Sequence, residues 1–584
     1  MLDPRIYRTG LVVVALAVVV LAFSLQNQPG ALSSSLAPDA FNGQNVWASM
    51  NSIAASDPDR QPGSAGDYAL AAQVASSFRK YKFTVSTDAF TGRTADGTKT
   101  LENVVAVRPG MENGSVVIVA HRDARSSPAL ASLSGTATLM ELARDLEGET
   151  LNRTVVLAST SGSQGTAGAI RLASTLNGPI DGVVVLGDLD SARIRQPIVV
   201  PWSDRTAVAP PVLRNTLASA LNAQADLRNG GTSFAGQFAH LAFPFTVSEQ
   251  GPFGVDGYPA VLLSLSGERG AAPNAPTGGP TLVNSTGRAV LQTISALDSG
   301  RTVPKASPYL LLDGKVVPGW AISMFVLALM VPVALTTIDG VARARRRRRS
   351  VWRWLALVLG AAVPFALGAA VILGARVVGW IADAPPGPVP AGAVPLTSSG
   401  TVSLILAAVV ALGGLALLRP FALGLARRER AAEGAAPALL LVLVAVTFAI
   451  WIANPFAALL VVPALHLWLL AVNPDLHIPL PVRLGLVALG VVPAVLIVGY
   501  YCVTLGFGPL DAIWSAALLI AGGAVTPLAV LEWSVVLGCV LSAVAITALA
   551  VRETRSQPAP VTVRGPINYA GPGSLGGTES ALRR

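Results

Sequence analysis

The sequence predicts an α/β domain with a mainly parallel central sheet, placed between an N-terminal transmembrane helix and a C-terminal α-helical transmembrane bundle. Three observations carry that prediction. The 584-residue chain is 52% hydrophobic and only 13% charged, with a mean hydropathy of +0.57, too apolar and too long for one soluble domain. One apolar run near the N-terminus and a series of runs after residue 316 flank a middle stretch of ordinary globular composition. Within that stretch, short Val- and Leu-rich runs alternate with amphipathic ones, as strands buried on both faces do between helices.

In chain order, residues 1–10 carry Arg5 and Arg8 ahead of the apolar run 11–25. The run reads as a secretory signal peptide or an uncleaved anchor; no small-x-small cleavage site follows it directly, which favours the anchor. The basic residues place residues 1–10 in the cytoplasm. A linker, 26–39, leads to an extracytoplasmic domain at 40–307, enough chain for one sizeable core. Its strands are expected at 116–120, 154–159, 182–186 and 260–264, and its helices at 69–81, 135–146, 167–176 and 211–223.

Residues 318–552 form the membrane domain. A span needs about 20 apolar residues, and seven runs come near that length: 320–338, 354–374, 402–418, 436–453, 456–472, 484–505 and 533–551. The stretch 511–526 stays ambiguous, a re-entrant or interfacial piece or one more helix, so the total is eight or nine. Arg343 and Arg345 to Arg349 follow the first run, and Arg419, Arg427, Arg428 and Arg430 follow the third. Both loops are expected inside, whereas the Pro-rich loop 382–400, without Lys or Arg, is expected outside. Residues 553–584, rich in Pro, Gly and Ser, are expected to be disordered.

The formal net charge is +9, and most of that excess sits beside membrane runs. It reads as a topology signal with membrane lipid as the partner, and nucleic acid is excluded as one. Cys502 and Cys539 both lie in apolar stretches, so disulfide stapling of the exported domain and Cys-based zinc are excluded by count. "SGSQG" lacks the first Gly of a nucleophile elbow, and there is no Gly-x-x-x-x-Gly-Lys phosphate loop. The spans hold few charges and no evident two-half repeat, which disfavours a transporter; His466 and Arg376 read as interfacial.

The middle domain carries an ordered set of motifs: "RQPGSAGDYALAAQVASSF" from Arg60 to Phe78, "ENVVAVRPG", "VVIVAHRDA", "SGTATLMELARDL", "TVVLASTSGSQGTAGAIRLA", "VVVLGDLDSA" and "SEQGPFGVDGYPAVLLS". In order, spacing and hydrophobic pattern it resembles the M28 family of zinc aminopeptidases. One anchor, one outer peptidase-like domain and a run of C-terminal helices also resemble the arrangement in GPI transamidase subunit GAA1 and the endoplasmic-reticulum metallopeptidase families.

A two-zinc hydrolase of that family needs about five ligands, one of them bridging, and a carboxylate base. The resemblance puts His121 at the His of His-x-Asp, Asp123 at the orienting Asp, and Asp188 at the strand-end Asp, with Asp190 beside it. At the bridging Asp stands Ala131, and at the Glu-Glu pair stand Gly162 and Ser163. The late His is replaced by "APNAPTGG", where Asn274 is the nearest polar residue; His240 lies before "SEQGPF", on the wrong side of it. Glu249 falls where the old substrate cleft is expected.

With two ligand positions left and no base, His121 and Asp188 are a vestigial metal pair, and zinc binding is expected to be weak or absent. The expected function is a pseudoenzyme: a multi-pass, M28-like protein of a bacterial plasma membrane. It would hold a peptide, a lipid-linked substrate or a partner subunit of a membrane complex at the outer surface. The alternative is an active metallopeptidase or amide-forming enzyme with a reduced metal site.

Overall fold

A computed structural model of the chain describes residues 4–34, 38–125, 129–230, 232–381, 384–428, 434–473, 475–476 and 478–556. The chain enters through α1 (Pro4–Phe23) and β1 (Gln26–Asn27), then builds α2 (Gly43–Ser56), α3 (Ala65–Lys80), β2 (Thr84–Thr94) and β3 (Gly97–Arg108). Next come β4 (Ser115–His121), α4 (Leu130–Asp145), β5 (Thr154–Thr160), α5 (Ala167–Thr175), β6 (Ile180–Leu186) and β7 (Val199–Val200). The domain closes with α6 (Pro211–Ala225), α7 (Phe234–Ala242), α8 (Gln250–Val255), β8 (Ala260–Leu263) and α9 (Pro280–Ser299), before β9 (Tyr309–Leu312) and β10 (Lys315–Pro318).

The seven-stranded sheet runs β2-β3-β5-β4-β6-β8-β7. Its centre, β5-β4-β6-β8, is parallel, while β2, β3 and β7 pair antiparallel at the edges. The sheet is therefore mixed, which corrects the mainly parallel expectation. Those four central strands are the four that their Val-rich runs predict. The β2–β3 hairpin was missed because β2, "TVSTDAFTGRT", leaves most of its residues partly or fully exposed and offers no apolar alternation. Its usable signal is Gly97: Thr94 pairs with Gly97 across the two-residue turn Ala95-Asp96, and Gly97 takes φ +98°, which glycine adopts at little cost. A three-stranded sheet, β1-β10-β9, ties the chain leaving α1 to the chain entering the next helix.

Alternate residues of the central strands feed two cores. Val116, Ile118 and Ala120 of β4 pack under α2, α3, α4, α6 and α9. Val117 and Val119 face α5, α7 and α8 in a core that continues into the apolar helices beyond residue 319. The domain thus shares one hydrophobic core with the helical bundle, and has a second of its own.

The bundle comprises α10 (Gly319–Arg346), α11 (Val351–Gly360), α12 (Val363–Val377), α13 (Ser398–Arg428), α14 (Ala435–Ala453), α15 (Pro455–Ala471), α16 (Leu480–Leu505), α17 (Pro509–Gly522) and α18 (Pro527–Ser556). Among the described residues, seven stretches are long and apolar enough to cross a membrane: 5–23, 319–346, 351–377, 398–418, 435–453, 480–505 and 527–549. The 17-residue α15 and 14-residue α17 are shorter apolar helices. The ambiguous stretch 511–526 is thus mostly α17, about 21 Å long at 1.5 Å per residue and short of the roughly 30 Å hydrocarbon core. Helix α1 starts at Pro4, inside the segment expected to be a cytoplasmic N-terminus. Tyr7 on it bonds His466 Nδ1 at 2.8 Å, and His466 Nε2 meets Leu329 O at 3.0 Å. Helix α18 runs to Ser556, past the expected end of the last span, and 557–584 lies outside the described residues.

Polar contacts join the bundle to the domain at several points. Asn454, between α14 and α15, donates to Leu241 O and Ala242 O at 2.9 and 3.1 Å. Tyr501 OH donates to Phe243 O at 2.6 Å. Arg93, near the β2–β3 turn, reaches Ala384 O at 3.1 Å and Gly522 O at 3.4 Å.

Candidate functional site

The carboxyl ends of β4, β5 and β6 open into a cavity of about 230 Å³, where a parallel sheet places its loops and ligands. Val185, Val247 and Leu262 give it apolar walls, and His121, Asp123, Ser163, Asp188, Glu249 and Glu268 give it polar ones. His121, Asp123, Asp188 and Glu249 all line it. Asp190 is buried outside the lining. Ala131 is buried in the first turn of α4 while its neighbours Ala129 and Ser132 face the cavity. Asn274 is exposed, with Pro273 taking the wall position. Residues 126–128 of the loop before α4 lie outside the described residues.

His121 ends β4, and its carbonyl accepts from Thr136 Oγ1 at 2.7 Å, tying it to α4. Gly135 lets that helix close in: a Cβ there would lie 2.7 Å from Leu186 O. Asp123 accepts from Ser163 twice, from its amide at 3.1 Å and its hydroxyl at 2.8 Å, both on Oδ2. Burial pushes its pKa up, and the charge of His121 opposes that shift. Asp188 accepts from Ser266 Oγ through Oδ2 and from the Asp190 amide through Oδ1 at 2.9 Å. The second bond makes a local Asx-type turn. Glu249 Oε1 accepts from Thr160 Oγ1 at 2.8 Å, and its Oε2 lies 3.7 Å from His121 Nδ1. Burial raises the pKa of both Asp188 and Glu249. Among the described residues, no group of three His, Cys, Asp or Glu side chains converges as metal ligands.

Position 162 explains part of this. Gly162 has φ +82°, and a Cβ there would sit 2.8 Å from Leu101 Cδ1 and 3.2 Å from Ala167 Cβ. The backbone has settled into a left-handed conformation that glycine adopts at little cost, and Ser163, not position 162, faces the cavity.

Beneath the floor, Arg122 pairs with Asp67 at 2.8 Å, both side chains fully buried. Arg122 also donates to Ser159 O at 3.2 Å and Glu102 O at 2.7 Å, while Asp67 accepts from Ser161 Oγ at 2.6 Å. This network fastens the ends of β4 and β5 to α3, and breaking such a pair is expensive because the survivor is left charged and buried. Sequence reasoning missed it, although Arg122 between His121 and Asp123 was the available signal.

Two further features were not anticipated. Glu268 faces the cavity on one side and His240 on the other, 3.5 Å from His240 Nε2. Burial holds the Glu268 pKa up at about 8 and the His240 pKa down at about 3, so near neutral pH the contact joins two uncharged groups. His240 stacks on Trp202, ring centroids 4.8 Å apart and planes 3° from parallel; it is a packed core residue, off the cavity wall. The second feature is the roof. Pro390, from the loop between α12 and α13, lines the cavity, and Arg125 donates to Gly392 O at 3.1 Å and to Ala393 O. The cleft is completed by a loop of the helical bundle.

No protein-family model matches the chain, and no curated protein does. It is similar to solved structures of glutaminyl cyclases and zinc aminopeptidases. These include the glutaminyl cyclase of Porphyromonas gingivalis (16% identity, 44% of this chain, 98% of that one, TM-score 0.35). The LapA aminopeptidase of Legionella pneumophila is 17% identical over 45% of this chain and 74% of its own, with TM-score 0.35. The zinc aminopeptidase BSAP of Bacillus subtilis is 11% identical over 45% and 99%, with TM-score 0.32.

Proposed function

We propose that the chain is a multi-pass membrane protein whose M28-like outer domain, residues 40–307, keeps the cleft for binding and has given up hydrolysis. It would hold a peptide, a lipid-linked group or a partner subunit's segment at the outer surface of a bacterial plasma membrane. One observation carries this reading: each carboxylate that faces the cleft near the old metal positions is already held by a hydrogen-bond donor. Asp123 is held by Ser163, Asp188 by Ser266 and the Asp190 amide, and Glu249 by Thr160. Metal-assisted amide hydrolysis needs about three side chains converging on the ion and a base beside its water, and among the described residues these hydrogen bonds hold the carboxylates in an arrangement where no three such ligands converge. At the positions the resemblance gives to metal ligands, His121 and Asp188 would supply two protein ligands where a catalytic zinc takes three.

The proposed topology has eight crossings with the C-terminal tail inside. Asn454, Tyr501 and the 384–397 loop all bond the outer domain, so the α14–α15 turn, the end of α16 and that loop share one side. Helix α17 would lie along that surface, since Arg93 holds Gly522 at its end. The arginines at 343 and 345–349 then fall on the opposite, inner side, as basic loops do.

The cleft reading is tested with purified full-length protein and tri-alanine carrying a C-terminal fluorophore. Saturable binding, weakened by a cavity-filling Ser132→Phe, with the peptide recovered intact, is the expected result; released alanine, or no binding, overturns it. A second reading, an enzyme with a reduced metal site, draws on the 3.7 Å approach of His121 to Glu249, a His-carboxylate pair able to move a proton.

A further inference from the structure

Two cavities on the inner half of the bundle meet at one residue. The first, about 350 Å³, lies between α10 and α14, and its wall is wholly apolar in surface, with Leu327, Val331 and Ile338 on one side and Val444 and Phe448 on the other. The second, about 380 Å³, lies at the α10–α11 corner and is walled by Arg345, Arg348, Arg349 and Trp352. Leu441 lines both, so the apolar groove and the basic one adjoin at that side chain.

We propose that these two adjoining cavities form a binding site for one anionic phospholipid, with an acyl chain between α10 and α14 and its phosphate on Arg345, Arg348 and Arg349. Length supports that occupant: from Leu327 to Ile338 the helix rises about 17 Å at 1.5 Å per residue, close to half of a roughly 30 Å hydrocarbon core. Charge supports it as well. Arg345, Arg348 and Arg349 all line the second cavity. Arginine's planar fork suits phosphate, and basic pockets beside spanning helices attract anionic headgroups. Trp352 is 71% exposed beside them, where an indole suits the headgroup level. The arginine run thereby acquires a function beyond setting orientation.

The test uses the full chain, delipidated in detergent and reconstituted in nanodiscs of phosphatidylcholine with a minority of phosphatidylglycerol. Native mass spectrometry then counts the lipid retained on release. One phosphatidylglycerol per chain is expected, preferred at least tenfold over phosphatidylcholine. The double variant Arg345→Gln/Arg348→Gln should lose that preference by roughly tenfold, since each arginine near the surface strengthens the attraction. Arg345→Lys/Arg348→Lys, which keeps the charge, should retain most of it and shows that the protein is folded. Ala445→Trp, which fills the apolar groove and leaves the arginines alone, should also expel the lipid. Equal retention of both lipids, an unchanged preference in the Gln variant, or displacement by millimolar inorganic phosphate overturns the proposal.

Discussion

Ser163 closes off Asp123: its amide and hydroxyl both donate to Oδ2, at 3.1 and 2.8 Å. Removing the hydroxyl takes away one of the two Ser163 donors and leaves the amide in place, which costs about 1 kcal/mol. Ser163→Ala should therefore lower the unfolding midpoint by a few degrees, read by thermal unfolding of the detergent-solubilised chain. An unchanged midpoint would mean that the contact contributes nothing.

Gly162→Glu, which adds a carboxylate where the proposed resemblance expects one, should destabilise without creating hydrolytic chemistry. The substitution forces a side chain into φ +82° and against Leu101 Cδ1, at about 1–3 kcal/mol for the backbone alone. Thermal unfolding should show the loss, and zinc content should not rise. A stable, zinc-loaded variant would show that the backbone relaxes to rebuild the site.

Glu268, and Asp204 of the loop after β7, which accepts from the Thr246 amide at 3.0 Å, make stability fall toward alkaline pH. Burial raises their pKa values to about 8 and about 7 in the folded protein, above the values near 4 of unfolded carboxyls. A raised folded pKa means that the native state binds the extra proton, so this stability is full below about pH 4 and is lost as pH rises toward 8. The groups facing this cluster are His240, Thr246 and, from α16, Tyr501. Melting temperatures from pH 5 to 9 should decline, and Glu268→Gln should flatten the decline. A slope identical in wild type and variant would remove Glu268 as its source.

Arg125→Ala should loosen the roof. Its guanidinium holds the carbonyls of Gly392 and Ala393, and the rest of that loop packs through Ala384, Val389 and Ala393 against α12 and α17. Amide exchange in 384–397 should rise severalfold while exchange in β4 and β6 stays put. Equal exchange in both proteins would place the loop's stability in its apolar contacts alone.

The four central strands were legible because each is a short, unbroken Val-rich run, and the two layers of helices followed from the alternation. The β2–β3 hairpin was not legible by hydrophobic period, because its outer strand lies at a sheet edge and exposes most of its residues. His121, Asp123, Asp188 and Glu249 share a wall because strand ends and the loop after α7 are where this topology collects side chains. Asp67, Arg122 and Glu268 escaped notice for a common reason: their partners, Ser161, Glu102 and His240, lie 20 to about 100 residues away in sequence, and no local pattern announces a buried charge that is neutralised at long range. The roof was hidden in the same way, since a loop between two apolar runs carries no mark of what it covers.

The central claim, that the cleft binds without metal-dependent hydrolysis, is tested most directly by measuring zinc and aminopeptidase turnover on one preparation of the full-length chain purified in zinc-containing buffer. The account predicts well under one zinc per chain and no release of the chromophore from an aminoacyl reporter, with His121→Ala changing neither value. Near-equimolar zinc, together with reporter hydrolysis abolished by His121→Ala, would contradict it.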